Sequence, residues 1–182
     1  MTKWVILFQG MNVGRSGRIR MDALKESLEQ SGLRNVRTYI QSGNVIAESD
    51  DGEALVRMKA SSAIQTLGLV LPVFVRRADG LRALLDSCPF SPERREEAAR
   101  KNTEGESYYI CFFDGVPATE NVIFDEIPGE EIHFDGRHAF LLLEKSIRHA
   151  QLIRRLARLG LPYTIRNERT VLLLADCAEP SG

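Results

Sequence analysis

Trp4-Val5-Ile6-Leu7-Phe8-Gln9-Gly10-Met11-Asn12-Val13-Gly14-Arg15-Ser16-Gly17-Arg18-Ile19-Arg20-Met21 opens the chain, and Thr38-Tyr39-Ile40-Gln41-Ser42-Gly43-Asn44-Val45 answers it after one helix length. Residues 3–8 are, after Lys3, apolar without alternation, which reads as a buried central strand. Gly10, Gly14 and Gly17 then break regular structure. From Met21 the spacing of Met21, Leu24 and Leu28 predicts a helix that Gly32 closes. Val36, Thr38 and Ile40 alternate with Arg37 and Tyr39 as a half-buried strand. Residues 41–44 carry turn chemistry, and residues 45–47 resume a strand.

The pattern continues outward from this stretch. Ser49, Asp50 and Asp51 stand where a second helix needs a cap, and its stripe is Val56, Ala60, Ala63 and Leu67, closed by Gly68. Residues 71–75 read as a fourth strand, and Asp79 begins a short helix with Leu81, Leu84 and Leu85. The order β-α-β-β-α-β is the ferredoxin-like arrangement, with right-handed crossovers placing both helices on one sheet face.

Residues 89–106 change character. Hardly an apolar residue follows Phe90, and the stretch reads as a charged linker or a solvated helical excursion. The scheme then repeats: a strand over 108–113, a short helix over 117–124, a hairpin of 131–134 with 139–143, a helix capped by Ser146, and a last strand over 170–174. The expected fold is α+β, with two ferredoxin-like halves at 1–77 and 106–176. A short helix and linker occupy 78–105, and a frayed tail occupies 177–182. The duplication rests on element order, because the halves show no obvious sequence identity.

The quoted motifs, with Pro89-Phe90 and with Thr164-Ile165-Arg166-Asn167 and Thr170-Val171, resemble the family called domain of unknown function 1697. The resemblance runs over nearly the whole chain. It implies an uncharacterised, mainly bacterial, cytosolic protein and supplies no reaction. Three residues depart from the family pattern: Gln9 stands for its Arg, Arg15 for a Gly and Glu168 for a Trp.

Topology locates a candidate site. In a ferredoxin-like half the loop leaving the first strand and the turn after the second lie at one sheet edge. That edge would gather Asn12, Arg15, Arg18, Gln41, Ser42 and Asn44, beside Gln9 and Ser16. Glycines let backbone N–H groups turn inward, and the next helix presents its positive end. The composition suits an anion or nucleotide. The alternative is that Asn12, Ser42 and Asn44 serve only the turns they sit in. The spacing matches neither a P-loop nor a dinucleotide fingerprint, so no cofactor is expected.

A second basic feature is the predicted helix over 147–159, with Arg148, Arg155 and Arg158 on one face and Arg166 and Arg169 following. It reads as a solvated face or as a contact for nucleic-acid phosphates or an acidic protein. An enzyme acting on a phosphorylated or carboxylated substrate at the first site is a third reading, with no acid or base nominated. His133, His138 and His149 lack metal spacing, so no metal is expected. Tyr108, Tyr109, Phe112 and Phe113 suit a buried strand as well as an RNA platform.

The bulk properties agree. The chain has 182 residues, 43% hydrophobic, with 24 Lys and Arg against 25 Asp and Glu. That balance gives no whole-molecule field to draw in nucleic acid or membrane, so any basic site must be local. Cys88, Cys111 and Cys177 are an odd set without paired spacing, read as reduced thiols in a cytoplasmic protein. No apolar run approaches a membrane span, and an immediate first strand leaves no room for a signal peptide. The oligomeric state is not legible.

Overall fold

A computed structural model describes residues 1–11, 19–39, 43–124 and 126–178. The chain is mixed α/β, with two four-stranded antiparallel sheets and, among the described residues, six α-helices. The two sheets fit the expected class. Contacts divide the chain into one unit of Met1–Leu84 with the chain from Leu172 onward, and a second of Leu85–Val171.

In the first unit, β1 (Thr2–Phe8) lies between β3 (Asn44–Ser49) and β4 (Val73–Arg77), and β2 (Arg34–Tyr39) flanks β3. Trp4, Ile6 and Phe8 share a core with Leu24 and Leu28 of α1 (Met21–Gln30) and with Val56, Ala60 and Ala63 of α2 (Glu53–Thr66). Small residues bring the two helices together, and the Ser27 hydroxyl donates to the Ala63 carbonyl at 2.8 Å. Val5 and Leu7 alternate to the other face and are also buried. The end of the last helix, α6 (Glu168–Ala178), lies on that face: Lys3 Nζ donates to the Ala178 carbonyl at 3.0 Å, and Arg82 pairs with Asp176. α3 (Gly80–Asp86) follows β4.

The second unit places β5 (Tyr108–Phe113) between β7 (His138–Leu143) and β8 (Tyr163–Asn167), with β6 (Glu130–Asp135) at the edge beyond β7. Tyr109, Cys111 and Phe113 pack with Leu152 and Leu156 of α5 (Gln151–Ala157). The opposite face receives α4 (Pro92–Lys101) and the residues before it. Phe90 meets Tyr108 edge-on at 5.9 Å, and the Arg95 guanidinium lies 4.8 Å from the Tyr108 ring centre. The charged stretch is therefore helical where its acids and bases interleave. Ser91 caps it, accepting from Arg94 N–H at 3.2 Å, with Pro92 in the first turn. Arg94 ties it to Glu131 at 2.6 Å and Glu144 at 2.8 Å.

The sheets repeat one another closely. Gln9 N–H donates to the Pro72 carbonyl at 3.1 Å, and Asp114 N–H to Pro162 at 3.0 Å. Phe8 N–H donates to Gly43, and Phe113 N–H to Arg137. In this alignment Leu71-Pro72-Val73-Phe74-Val75-Arg76 falls on Leu161-Pro162-Tyr163-Thr164-Ile165-Arg166. The two halves do share a short motif, Leu-Pro, two residues, a β-branched residue and Arg. Arg76 opposes Val5, and Arg166 opposes Ile110, in the same ladder position. Each guanidinium curls back to the carbonyl of the preceding residue, at 2.8 Å and 3.0 Å.

Several expected elements differ. The last strand is 163–167, and residues 170–174 belong to α6. Asn167 Oδ1 accepts from Thr170 N–H at 2.9 Å and starts that helix. The buried positions Val171, Leu174, Ala175 and Ala178 then follow helical spacing inside a run that is nearly all apolar. Residues 117–124 form only a 3-10 turn at Thr119–Asn121. Ser49 and Asp51 do not cap α2, whose N-cap is Gly52 with no side-chain bond. They bond each other at 2.7 Å and hold the preceding turn. The predicted 147–159 helix is a 3-10 turn, Ile147–His149, followed by α5. Ser146 accepts from Arg148 N–H in that turn at 3.4 Å.

What starts α5 is Glu130 on β6. Its carboxylate accepts from Gln151 N–H at 3.0 Å and Leu152 N–H at 2.8 Å, and Lys145 pairs with it at 2.7 Å. Burial pushes this carboxyl up, but the Lys145 ammonium and the two N–H groups outweigh it and hold the group below the ordinary range. A folded value below the unfolded one stabilises above about pH 4.3. The contribution disappears as pH falls through the folded value. Glu130→Gln is expected to cost about 1.5–3 kcal/mol at neutral pH, the scale of bonds to a charged group. Urea unfolding should separate the two proteins at neutral pH and bring them together as the Glu130 carboxyl protonates. A constant gap across that window would mean that shape, not charge, sets the cap.

Candidate functional site

The first-unit edge is visible at its walls. Asn12, Arg15, Arg18, Gln41 and Ser42 lie outside the described residues, as do Ser16 and Ile40. Of the proposed lining only Asn44 is described. It is 0% exposed and donates from Nδ2 to the Tyr39 carbonyl at 3.2 Å, so one role it fills is holding its own hairpin. Gly43 sits at φ +74°, and a Cβ there would stand 2.9 Å from Phe8 Cβ and 3.0 Å from Met11 Cβ. The β2–β3 turn is thus pressed against the segment leaving β1, with the Phe8–Gly43 backbone bond at 2.9 Å beside it. On the far side of the loop, Ile19 packs against the core and α1 begins with no side-chain cap at Arg20. The first N–H groups of α1 therefore have no cap from that side chain.

The arginine stripe is dispersed. Arg148 lies in the 3-10 turn and is exposed, and Arg158 ends α5 and is exposed. Arg155 is partly covered and donates to the Ile123 carbonyl at 3.1 Å. Arg166 lies in β8, half-buried and bonded to the Thr164 hydroxyl at 2.7 Å. Desolvation brings its guanidinium down to about 10. It does not extend the α5 face. Tyr108, Tyr109, Phe112 and Phe113 are buried, so they offer no open stacking platform. All three cysteines are free thiols. Among the described residues no three His, Cys, Asp or Glu side chains gather as a metal set.

Two clefts were not legible in the sequence, and they occupy equivalent places in the repeat. Each lies where the first strand of its sheet begins and the fourth ends, beside the helix covering that face. The first-unit cleft, about 510 Å³, is lined by Thr2, Lys3, Arg77, Asp79, Arg82 and Ala178. Its Arg77 pairs with Asp79 at 2.6 Å. The second-unit cleft, about 340 Å³, is lined by Arg95, Glu96, Glu106, Ser107, Tyr108 and Glu168, with Pro92 and Ala99. Here Arg95 pairs with Glu168, one of the residues that depart from the resembled pattern, at 2.5 Å. Burial pushes the Tyr108 phenol well above its usual range, and the neighbouring Cys88 thiol adds to this.

The family described as "Protein of unknown function (DUF1697)" matches residues 1–140. The chain belongs to that family. No curated protein matches it. Among solved structures it is similar to the conserved bacterial protein SP0830 from Streptococcus pneumoniae, with a TM-score of 0.68 at 20% identity. The likeness covers 98% of this chain and 99% of that one, and it concerns the fold. Among the described residues no helix is long and apolar enough to cross a membrane.

Gly43→Ala is expected to destabilise the first unit by at least about 1 kcal/mol. A left-handed backbone position and a contact inside van der Waals distance act together there. Thermal unfolding checks this, and an unchanged midpoint would mean that the turn does not press on Phe8 and Met11.

Proposed function

We propose that this DUF1697 protein is a cytoplasmic tandem of two ferredoxin-like units acting as a small-ligand module. It takes an anion or nucleotide at the edge of the first sheet, between residues 10–20 and 41–44. The fold reading rests on strand order. Both sheets run second, third, first, fourth with every neighbour antiparallel, as right-handed β-α-β crossovers require. A 3-10 turn stands where the second unit would have its first crossover helix.

The close approach of Gly43 to Phe8 and Met11 carries the site reading, because it brings the turn to the loop. Asn12, Arg15, Arg18, Gln41 and Ser42 then supply amide, hydroxyl and guanidinium donors, the set that phosphate and carboxylate oxygens accept from. The start of α1, which the Arg20 side chain does not cap, adds donors of the same sense. Three free thiols agree with a reducing compartment.

Inorganic phosphate and adenosine monophosphate are the probes. A ligand at 100 times its dissociation constant should add about 2.7 kcal/mol of stability. Arg18→Ala should weaken binding more than tenfold, the effect of losing about 1.5–3 kcal/mol of charge-assisted bonding, with little change in unfolding without ligand. Affinity indifferent to Arg15→Ala and Arg18→Ala together would remove this site.

A further inference from the structure

The loop that joins α2 to β4 carries apolar surface that the core does not use. Gly68 closes α2 at φ +81°, its N–H donating to the Gln65 carbonyl at 2.9 Å, and Leu69 N–H reaches back to Ile64 at 3.2 Å. Burial then alternates along residues 69–72. Leu69 and Leu71 pack against the core, while Val70 and Pro72 are exposed. Side chains two residues apart in an extended segment share a face. Val70 and Pro72 therefore form one small apolar wall turned to solvent. Val70 is 83% exposed, the most of any large apolar side chain among the described residues.

The two units differ at this point. From Gly160, after its helix, the second unit passes directly to Leu161-Pro162, whereas the first places Leu69-Val70 between Gly68 and the equivalent Leu71-Pro72. The inserted pair has a definite neighbour. Pro72 accepts from Gln9 N–H at 3.1 Å, so the wall stands beside the chain as it leaves β1. The β2–β3 turn stands on the other side, where Gly43 accepts from Phe8 N–H at 2.9 Å and closes on Met11. β1 lies between β3 and β4, and a strand spacing of about 4.8 Å sets the two flanks on the order of 10 Å apart. A single exposed valine is ordinary, but this one stands in an insertion and beside the donors assigned above to an anion.

We infer that the ligand of the first-unit edge is a nucleoside monophosphate, with its base laid on Val70 and Pro72 and its phosphate among the loop donors. The inference rests on the anion reading of that edge and narrows it. A bare anion gains nothing from an apolar flank, whereas every base has a π-face to cover. The span between the flanks is the scale on which a nucleotide separates its phosphate from its base.

Ribose 5-phosphate and adenosine monophosphate test it, since they share the sugar phosphate and differ by the base. Calorimetric titration of the full chain should give adenosine monophosphate binding at least about tenfold tighter. Val70→Ser should bring the two ligands within about threefold of each other and leave ribose 5-phosphate affinity unchanged. The melting temperature should hold, because so exposed a side chain adds little to packing. Val70→Ile should keep the preference, and Arg18→Ala should weaken both ligands alike. Equal affinities in the parent protein, or a preference that Val70→Ser leaves intact, would overturn the base contact while leaving the anion site standing. Failure of both ligands to bind, or binding indifferent to Arg15→Ala and Arg18→Ala together, would remove the anion site and this inference with it.

Discussion

Burial of both faces of the central strands is the constraint from which the rest of the fold follows. A ferredoxin-like sheet with two helices is a two-layer object with one face in water. β1 cannot live in that arrangement, because Val5 and Leu7 are as buried as Ile6 and Phe8. β5 poses the same demand with Ile110 and Phe112. Each such side chain is worth about 1.5–3 kcal/mol when covered, so leaving either face open would forfeit much of a domain's margin. The elements outside the repeat answer that demand: the end of α6 lies on the first sheet, and α4 on the second. Tyr39 shows how far α6 reaches, since its phenol is pushed up by burial and by the Cys177 thiol beside it.

The same constraint explains what the sequence made legible. Residues 4–8 form an uninterrupted apolar run, so the strand and its two-sided burial could be read directly. Gly32, standing at φ +92°, marked the end of α1 for the same local reason. α6 was hidden because its run from Thr170 to Ala175 is nearly all apolar, and such a run has no period to distinguish strand from helix. Asn167, which starts it, lay in the connection before the expected strand and closes β8 instead. Glu130 was invisible as a cap because it acts from another strand, and no spacing rule connects residues 130 and 151. At the first candidate site the shared edge followed from topology, while the burial of Asn44 depended on the hairpin closing around it. The second cleft had no sequence signal at all, since Arg95 and Glu168 meet only after α4 covers the sheet.

The repeat clarifies why clefts form where they do. A helix laid across a twisted sheet cannot follow it to every corner, and the corner where the first strand starts and the fourth ends is left open in both units. The covering helices come from different parts of the chain, so the corners carry different side chains. Lys3, Arg77 and Arg82 line one, and Glu96, Glu106 and Glu168 line the other. Arg76 and Arg166 hold the same ladder position and make the same backward bond, while the surrounding charges differ. A guanidinium held in a sheet is tied by the backbone geometry that both units share. A rim side chain answers to solvent and is free to vary. The difference between the two corners therefore lies in the rims rather than in the sheets that carry them.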